Sequence, residues 1–175
     1  YYYLKSDKKG LINFVMSNPI DSTKYTKSNL ALAYSRMGEV FASKGLDKDA
    51  DTYFKKGIHL MPFVMDYKIK YGSFLLKYNR KEDAIKVFNQ AKKLNPTIKE
   101  IYLNLAYISI LNRDFITAEN SLKQAIALDP DYVLAYENLV LSARLQNKNK
   151  QLKLYLNKIL EIAPTHRAKQ ILENL

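Results

Sequence analysis

Apolar residues return along this chain at helical spacing, and the pattern itself returns at a longer, fixed interval. Leu103, Tyr107 and Ile110 are spaced 4-3 and share one helix face, displaced from a second face made by Tyr102, Leu105, Ala106 and Ser109. Tyr67, Tyr71, Phe74 and Tyr78 form another such series. Leu11, Phe14 and Val15 make residues 7–17 amphipathic, and Ala168, Ile171, Leu172 and Leu175 form a stripe near the other end. Each end is therefore predicted to carry one helix that covers a neighbouring apolar face. No apolar run approaches the roughly 18 residues that cross a bilayer. With only 5 Gly and 5 Pro in 175 residues, a turn-rich all-β fold is excluded and an all-α fold is expected.

The longer interval is 34 residues. Pro62, Pro96, Pro130 and Pro164 keep it without a gap. Twelve positions before each stand Ala50, Ala84, Ala118 and Leu152; eight before stand Phe54, Phe88, Leu122 and Leu156; five before stand Gly57, Ala91, Ala125 and Ile159. Further back come the series Gly38, Gly72, Ala106, Val140 and the series Tyr34, Lys68, Tyr102, Tyr136. Small residues at matching points of two helices allow close approach, aromatic and Leu positions fill the space around them, and each Pro ends the second helix. Gly45, Asn79 and Asn147 tolerate positive φ at the turn inside repeats one, two and four. Repeat three has Asn112-Arg113-Asp114 there, and Asn112 or Asp114 is expected to take the left-handed conformation. Val140 and Leu152 replace the small pair in repeat four, whose helices are expected to stand further apart.

This pattern resembles the tetratricopeptide repeat (TPR), a 34-residue helix–turn–helix unit. The resemblance covers repeats at 31–64, 65–98, 99–132 and 133–164, between an N-terminal capping helix and connector (1–30) and a C-terminal capping helix (165–175). It implies a right-handed superhelical solenoid. Pro19 precedes Pro62 by 43 residues, and the excess around Asp21–Tyr25 is a loop or an extension of the next helix. The chain opens on Tyr1-Tyr2-Tyr3 rather than Met, which reads as a processed product or a piece of a longer chain. Such arrays occur in bacterial lipoproteins and membrane-protein tails, so any membrane attachment would come through an anchor upstream. The compartment, cytoplasmic or periplasmic, is left open.

Catalytic chemistry finds little to work with. The chain has no Cys, which excludes disulfides, thiol catalysis and thiolate metal sites. Its two histidines, His59 and His166, are far apart in sequence and read as ordinary residues at a helix end and a connector. Asp47, Asp49 and Asp51 imitate the start of a calcium loop, but Thr52 and Ile58 stand where that loop needs Gly and Glu. The three carboxylates are expected to cap a helix instead. No enzyme, cofactor or metal is expected. The net charge of +11 is concentrated in residues 65–98, yet 23 of the 28 basic residues are Lys, whereas nucleic-acid readers favour Arg forks. The interleaved tyrosines share one helix face, with Tyr71 and Tyr78 expected in the core. Nucleic-acid binding is therefore disfavoured.

Function is expected in a concave groove. In TPR domains the first helix of each repeat lines an inner surface that holds a segment of a partner. By alignment this surface takes Leu32, Ser35, Glu39 and Ala42, then Asp66, Ile69, Ser73 and Leu76, then Glu100, Leu103, Tyr107 and Ile110, then Leu134, Glu137, Leu141 and Arg144. Asn104 and Asn138 match an asparagine common in the family. Ser35 and Glu39 replace the basic and amide groups of a carboxylate clamp, so chaperone-tail binding is not expected. The candidate partner-binding residues are Ile69, Leu76, Leu103, Asn104, Tyr107, Ile110, Leu134, Asn138, Leu141 and Arg144. Their apolar surface suits a hydrophobic or amphipathic segment of a protein or peptide. Alternatively, curvature or the N-terminal helix covers them. The leading expectation is a non-catalytic scaffold or adaptor. Self-association into a homo-oligomer through the same face, and a basic surface for RNA or anionic headgroups, stand as alternatives.

Overall fold

The computed structural model describes residues 26–164 and 167–174. The expected N-terminal helix, the connector around Asp21–Tyr25, His166 and Leu175 lie outside them. Among the described residues there are nine helices and no strand: α1 (Lys27–Ser43), α2 (Asp47–Leu60), α3 (Met65–Lys77), α4 (Lys81–Leu94), α5 (Lys99–Leu111), α6 (Phe115–Leu128), α7 (Val133–Leu145), α8 (Asn149–Ile162) and α9 (Ala168–Glu173). No helix among them is long and apolar enough to cross a membrane. The chain forms two compact units that meet within α4, one up to Val87 and one from Phe88.

The period is visible in the backbone. Gly45, Asn79, Arg113 and Asn147, each 34 residues from the next, all adopt positive φ, at 72°, 58°, 59° and 56°. Each sits in the same double hydrogen bond. Its own N–H reaches the carbonyl three residues back, and the next N–H reaches five back: Leu46 to Phe41 (3.0 Å), Arg80 to Leu75 (2.8 Å), Asp114 to Ser109 (2.9 Å) and Lys148 to Ala143 (2.9 Å). This is the Schellman closure, which satisfies the free carbonyls of a helix end. Arg113, rather than Asn112 or Asp114, therefore takes the left-handed position in repeat three. Asp114 acts one residue later, where its carboxylate accepts from the Thr117 N–H (3.1 Å) and caps α6. The hydrogen bonds from Thr117 hold its carboxyl below the usual carboxylate range.

In the first unit, α1 and α2 pack so closely that a Cβ on Gly38 would come within 2.8 Å of the Phe54 ring. Gly57 is equally confined, since its Cβ would meet the Ala31 carbonyl at 3.0 Å. Phe54 continues into an aromatic cluster with Tyr71 and Phe74. Asp51 ties the helices together. It accepts from Tyr71 Oη (2.8 Å) and Arg80 Nη1 (2.6 Å), and pairs with Lys55 (2.6 Å). Burial raises its pKa, but the hydrogen bonds from Lys55, Tyr71 and Arg80 outweigh that and hold it below the ordinary 3.8. Asp51 is thus a cross-helix hub rather than a cap. α2 has no side-chain cap at all, and Asp47 and Asp49 stand in its first turn, where the helix dipole favours negative charge.

In the second unit, Ala106, Ala118, Leu122, Ala125, Leu139, Leu152, Leu156 and Ile159 belong to one buried core, with Val140 half-buried against it. Ala168 is buried in this core and Leu172 packs on it, so α9 closes its C-terminal end. Lys99 forms an ion pair with Asp129 and lies 4.5 Å from the centre of the Tyr132 ring. Burial pushes the Tyr132 hydroxyl up to about 12.

One repeat position shows how a polar residue replaces an aromatic. Tyr102 Oη donates to the Pro96 carbonyl at 2.9 Å. Lys68, its counterpart 34 residues earlier, donates its Nζ to the Pro62 carbonyl. The aliphatic stem follows the path of the ring, leaving Lys68 only 5% exposed. Burial pulls its pKa down.

Candidate functional site

The first helices of the repeats carry the expected binding face, and its two halves differ in chemistry. On α1 and α3 the exposed positions are polar and engaged. Lys70 pairs with Glu39 (3.2 Å) and Asp66 (3.0 Å). Burial opposes the charge on Lys70, but hydrogen bonds from Asp66 and Glu39 prevail and raise its pKa. Ile69 and Leu76 are half-buried. Ser35, expected on the groove surface, is instead buried, and its Oγ has no hydrogen-bond partner among the described residues. The reason is Gly57: without a side chain there, α2 lies against the α1 backbone at Ser35 and covers it.

On α5 and α7 the face is apolar and open. Tyr107 is 40% exposed, Leu134 48% and Leu141 36%, while Leu103 is half-buried against the core. Tyr107 and Leu141 occupy the same repeat position, and Leu134 lies two turns before Leu141 on the same side of α7. Ile110 does not belong to this surface. It is 1% exposed and joins Leu139 and Ala143 of α7 in the core. A 4-3 spacing identifies a helix face, but not how far along that face the next helix reaches. Asn104 and Asn138 turn their amides back to their own helices, donating to the Glu100 and Leu134 carbonyls at 2.7 and 2.8 Å. Each amide oxygen is left to accept from an incoming backbone N–H.

Beyond Leu141 the face runs into a hollow of ≈ 440 Å³ whose walls include Asn138, Leu141, Arg144, Arg167 and Ile171. Arg167 Nη2 reaches Glu137 at 2.8 Å across it. No sequence pattern points to this hollow, because it depends on where α9 lies. Exposed Leu111 and Leu145 also fall outside the expected face, although their 34-residue separation is a usable signal. Exposed His59 borders a separate hollow of ≈ 550 Å³ in the first unit, together with Tyr34, Asp51 and Lys56. Among the described residues no three His, Asp or Glu side chains converge as metal ligands would. The face offers van der Waals surface, amide acceptors and a flanking guanidinium, which are the means of binding rather than of bond-making.

Comparison with known proteins agrees with the geometry. Residues 66–98 and 99–132 match the tetratricopeptide repeat family. No curated protein matches the chain by sequence. Among solved structures, the chain is similar to a crystal structure of MamA, with 24% identity over 79% of this chain and 76% of that one at a TM-score of 0.67. It is also similar to YrrB, described as a TPR protein with an unusual peptide-binding site, with 21% identity over 83% and 75% at 0.67. A third is PilW, described as a type IV pilus biogenesis factor, with 20% identity over 90% and 69% at 0.70. At these identities the likeness establishes the fold. The protein is an all-α chain that carries a tetratricopeptide-repeat domain, with residues 66–98 and 99–132 as its family-matched repeats.

Proposed function

We propose that the protein is a non-catalytic interaction module whose concave groove, at the first helices of repeats three and four, holds an apolar or amphipathic segment of a partner protein. One observation carries this reading: Tyr107, Leu134 and Leu141 stand in water on adjacent first helices while the same helices bury Ile110, Leu139 and Ala143. Three large apolar side chains kept exposed on two neighbouring helices mark a contact surface. Burying each is worth about 1.5–3 kcal/mol, so two or three anchor a micromolar complex after ordering costs. Tyr107 offers a rigid ring with a polar tip, and Asn104 and Asn138 offer acceptors for a partner backbone. The peptide-binding site of YrrB supports the reading by analogy of fold.

The test is selection from a displayed library of random twelve-residue peptides, followed by affinity measurement on Tyr107→Ala/Leu141→Ser. Apolar-rich peptides are expected, with affinity reduced about a hundredfold in the double variant and helix content unchanged. Equal affinity for the variant would remove the site from this face. A dilution series by light scattering separates partner binding from self-association: loss of a dimer in the double variant would establish the homo-oligomer instead.

A further inference from the structure

The C-terminal end of the second unit carries a distinct site, one that the groove reading does not use. The first helices α3, α5 and α7 each run for 13 residues, starting three positions after the preceding Pro. α9 begins one position past that register, at Ala168, and stops at Glu173 after six residues. What a full-length helix does at this place is seen one repeat earlier. There α7 continues to Leu145, and Ile110 is buried in a core with its later residues Leu139 and Ala143. At the last repeat the counterpart of Ile110 is Arg144, which is exposed and has no ion pair among the described residues. Beside it lies a hollow of ≈ 480 Å³, with Val140, Leu152 and Ile171 as its apolar part and Asn149, Gln170 and Asn174 as its polar part.

We propose that this hollow is a docking site for an acidic amphipathic helix of a partner, which packs where the missing turns of α9 would lie. The shape follows from the repeat itself, because the space is that of the second half of a first helix. The apolar part accepts the buried stripe of such a helix. The charge follows from the rim. Arg144, with exposed Lys148 and Lys150 at the start of α8, places three cations around the opening, none of them ion-paired among the described residues. α8 begins there without a side-chain cap, which adds the positive end of its dipole. An occupant with Glu or Asp flanking its apolar stripe meets all of these, whereas a basic one is repelled.

Two synthetic helical peptides of about four turns, with one shared apolar stripe and either Glu or Lys at the polar positions, test this on the 175-residue chain by fluorescence anisotropy. The acidic peptide is expected to bind at least about tenfold more tightly, with affinity falling as salt rises. Lys148→Glu/Lys150→Glu should reduce that binding by at least about tenfold and reverse the preference. Gln170→Trp, which fills the hollow from an exposed position, should abolish it, while Tyr107→Ala/Leu141→Ser leaves it unchanged. Circular dichroism of each variant verifies the fold. Equal binding of both peptides, or no binding of either, overturns the proposal. Binding that survives Gln170→Trp, or is lost with Tyr107, overturns it as well, the latter in favour of the groove. Sedimentation showing a dimer that Gln170→Trp dissociates would assign the hollow to a second copy and equally overturn it.

Discussion

Repeats one and three build the same hairpin from opposite divisions of bulk. In repeat one the first helix contributes Gly38 and the second contributes Phe54, whose ring lies where a Cβ would be. In repeat three the corresponding residues are Ala106 and Leu122, and both are fully buried. Volume is conserved across the contact while its ownership shifts: a larger ring on one helix requires no side chain on the other. The same two repeats differ in what their first helices show to solvent. Around repeat one, Glu39 is paired with Lys70, whereas repeat three exposes Tyr107. Packing positions are therefore constrained in pairs, and the outward positions are free to diverge into separate functions.

The largest effect should come from moving bulk to the wrong side. Gly38→Ala forces a methyl into the Phe54 ring and should destabilise the first unit by about 2–3 kcal/mol by overpacking, although Ala is the better helix former. Adding Phe54→Leu, which imports the arrangement of repeat three, should recover most of that loss in chemical denaturation. Failure of the rescue would mean that the two positions are not coupled.

A smaller effect is expected at Asp51, a hub whose place in the later repeats is taken by Ile85, Glu119 and Lys153. Asp51→Asn should cost about 1–2 kcal/mol near neutral pH, discounted for partial exposure of the network. The pH dependence has a definite sign. A carboxyl held below 3.8 in the fold stabilises it above that value, and loses this contribution as pH falls through the folded pKa. The variant should therefore lose less stability than the parent on acidification below about pH 4. Thermal melts at several pH values measure this.

The smallest effect reverses in sign. Arg113 holds a left-handed conformation that its repeat equivalents assign to Gly or Asn. Arg113→Gly should stabilise the second unit by about 0.5–1 kcal/mol, while Gly45→Arg should destabilise the first by a similar or larger amount. Denaturant midpoints of the two variants against the parent measure both.

That position also shows what was legible in the sequence. The 34-residue period located every left-handed turn to the residue, but reading repeat three by local composition pointed to Asn112 or Asp114. Register prevailed, because the closing hydrogen bonds need positive φ at one site only, and Asp114 is better placed to cap α6. The binding face was legible in part. Tyr107, Leu134 and Leu141 lie exposed as their spacing implies, but Ile110 and Ser35 are buried by neighbours that no pattern within one helix records. Ser35 is covered because Gly57 lets α2 close in. Ile110 is buried because α7 runs its full length, and Arg144 is open where α9 does not.

The most direct test of the central claim is amide hydrogen exchange of the chain with and without a peptide selected on it. Slowed exchange is predicted in α5 and α7, concentrated between Leu103 and Leu141, with α1 and α3 unaffected. Protection centred on α1 and α3, or spread evenly over all repeats, would contradict a groove at repeats three and four.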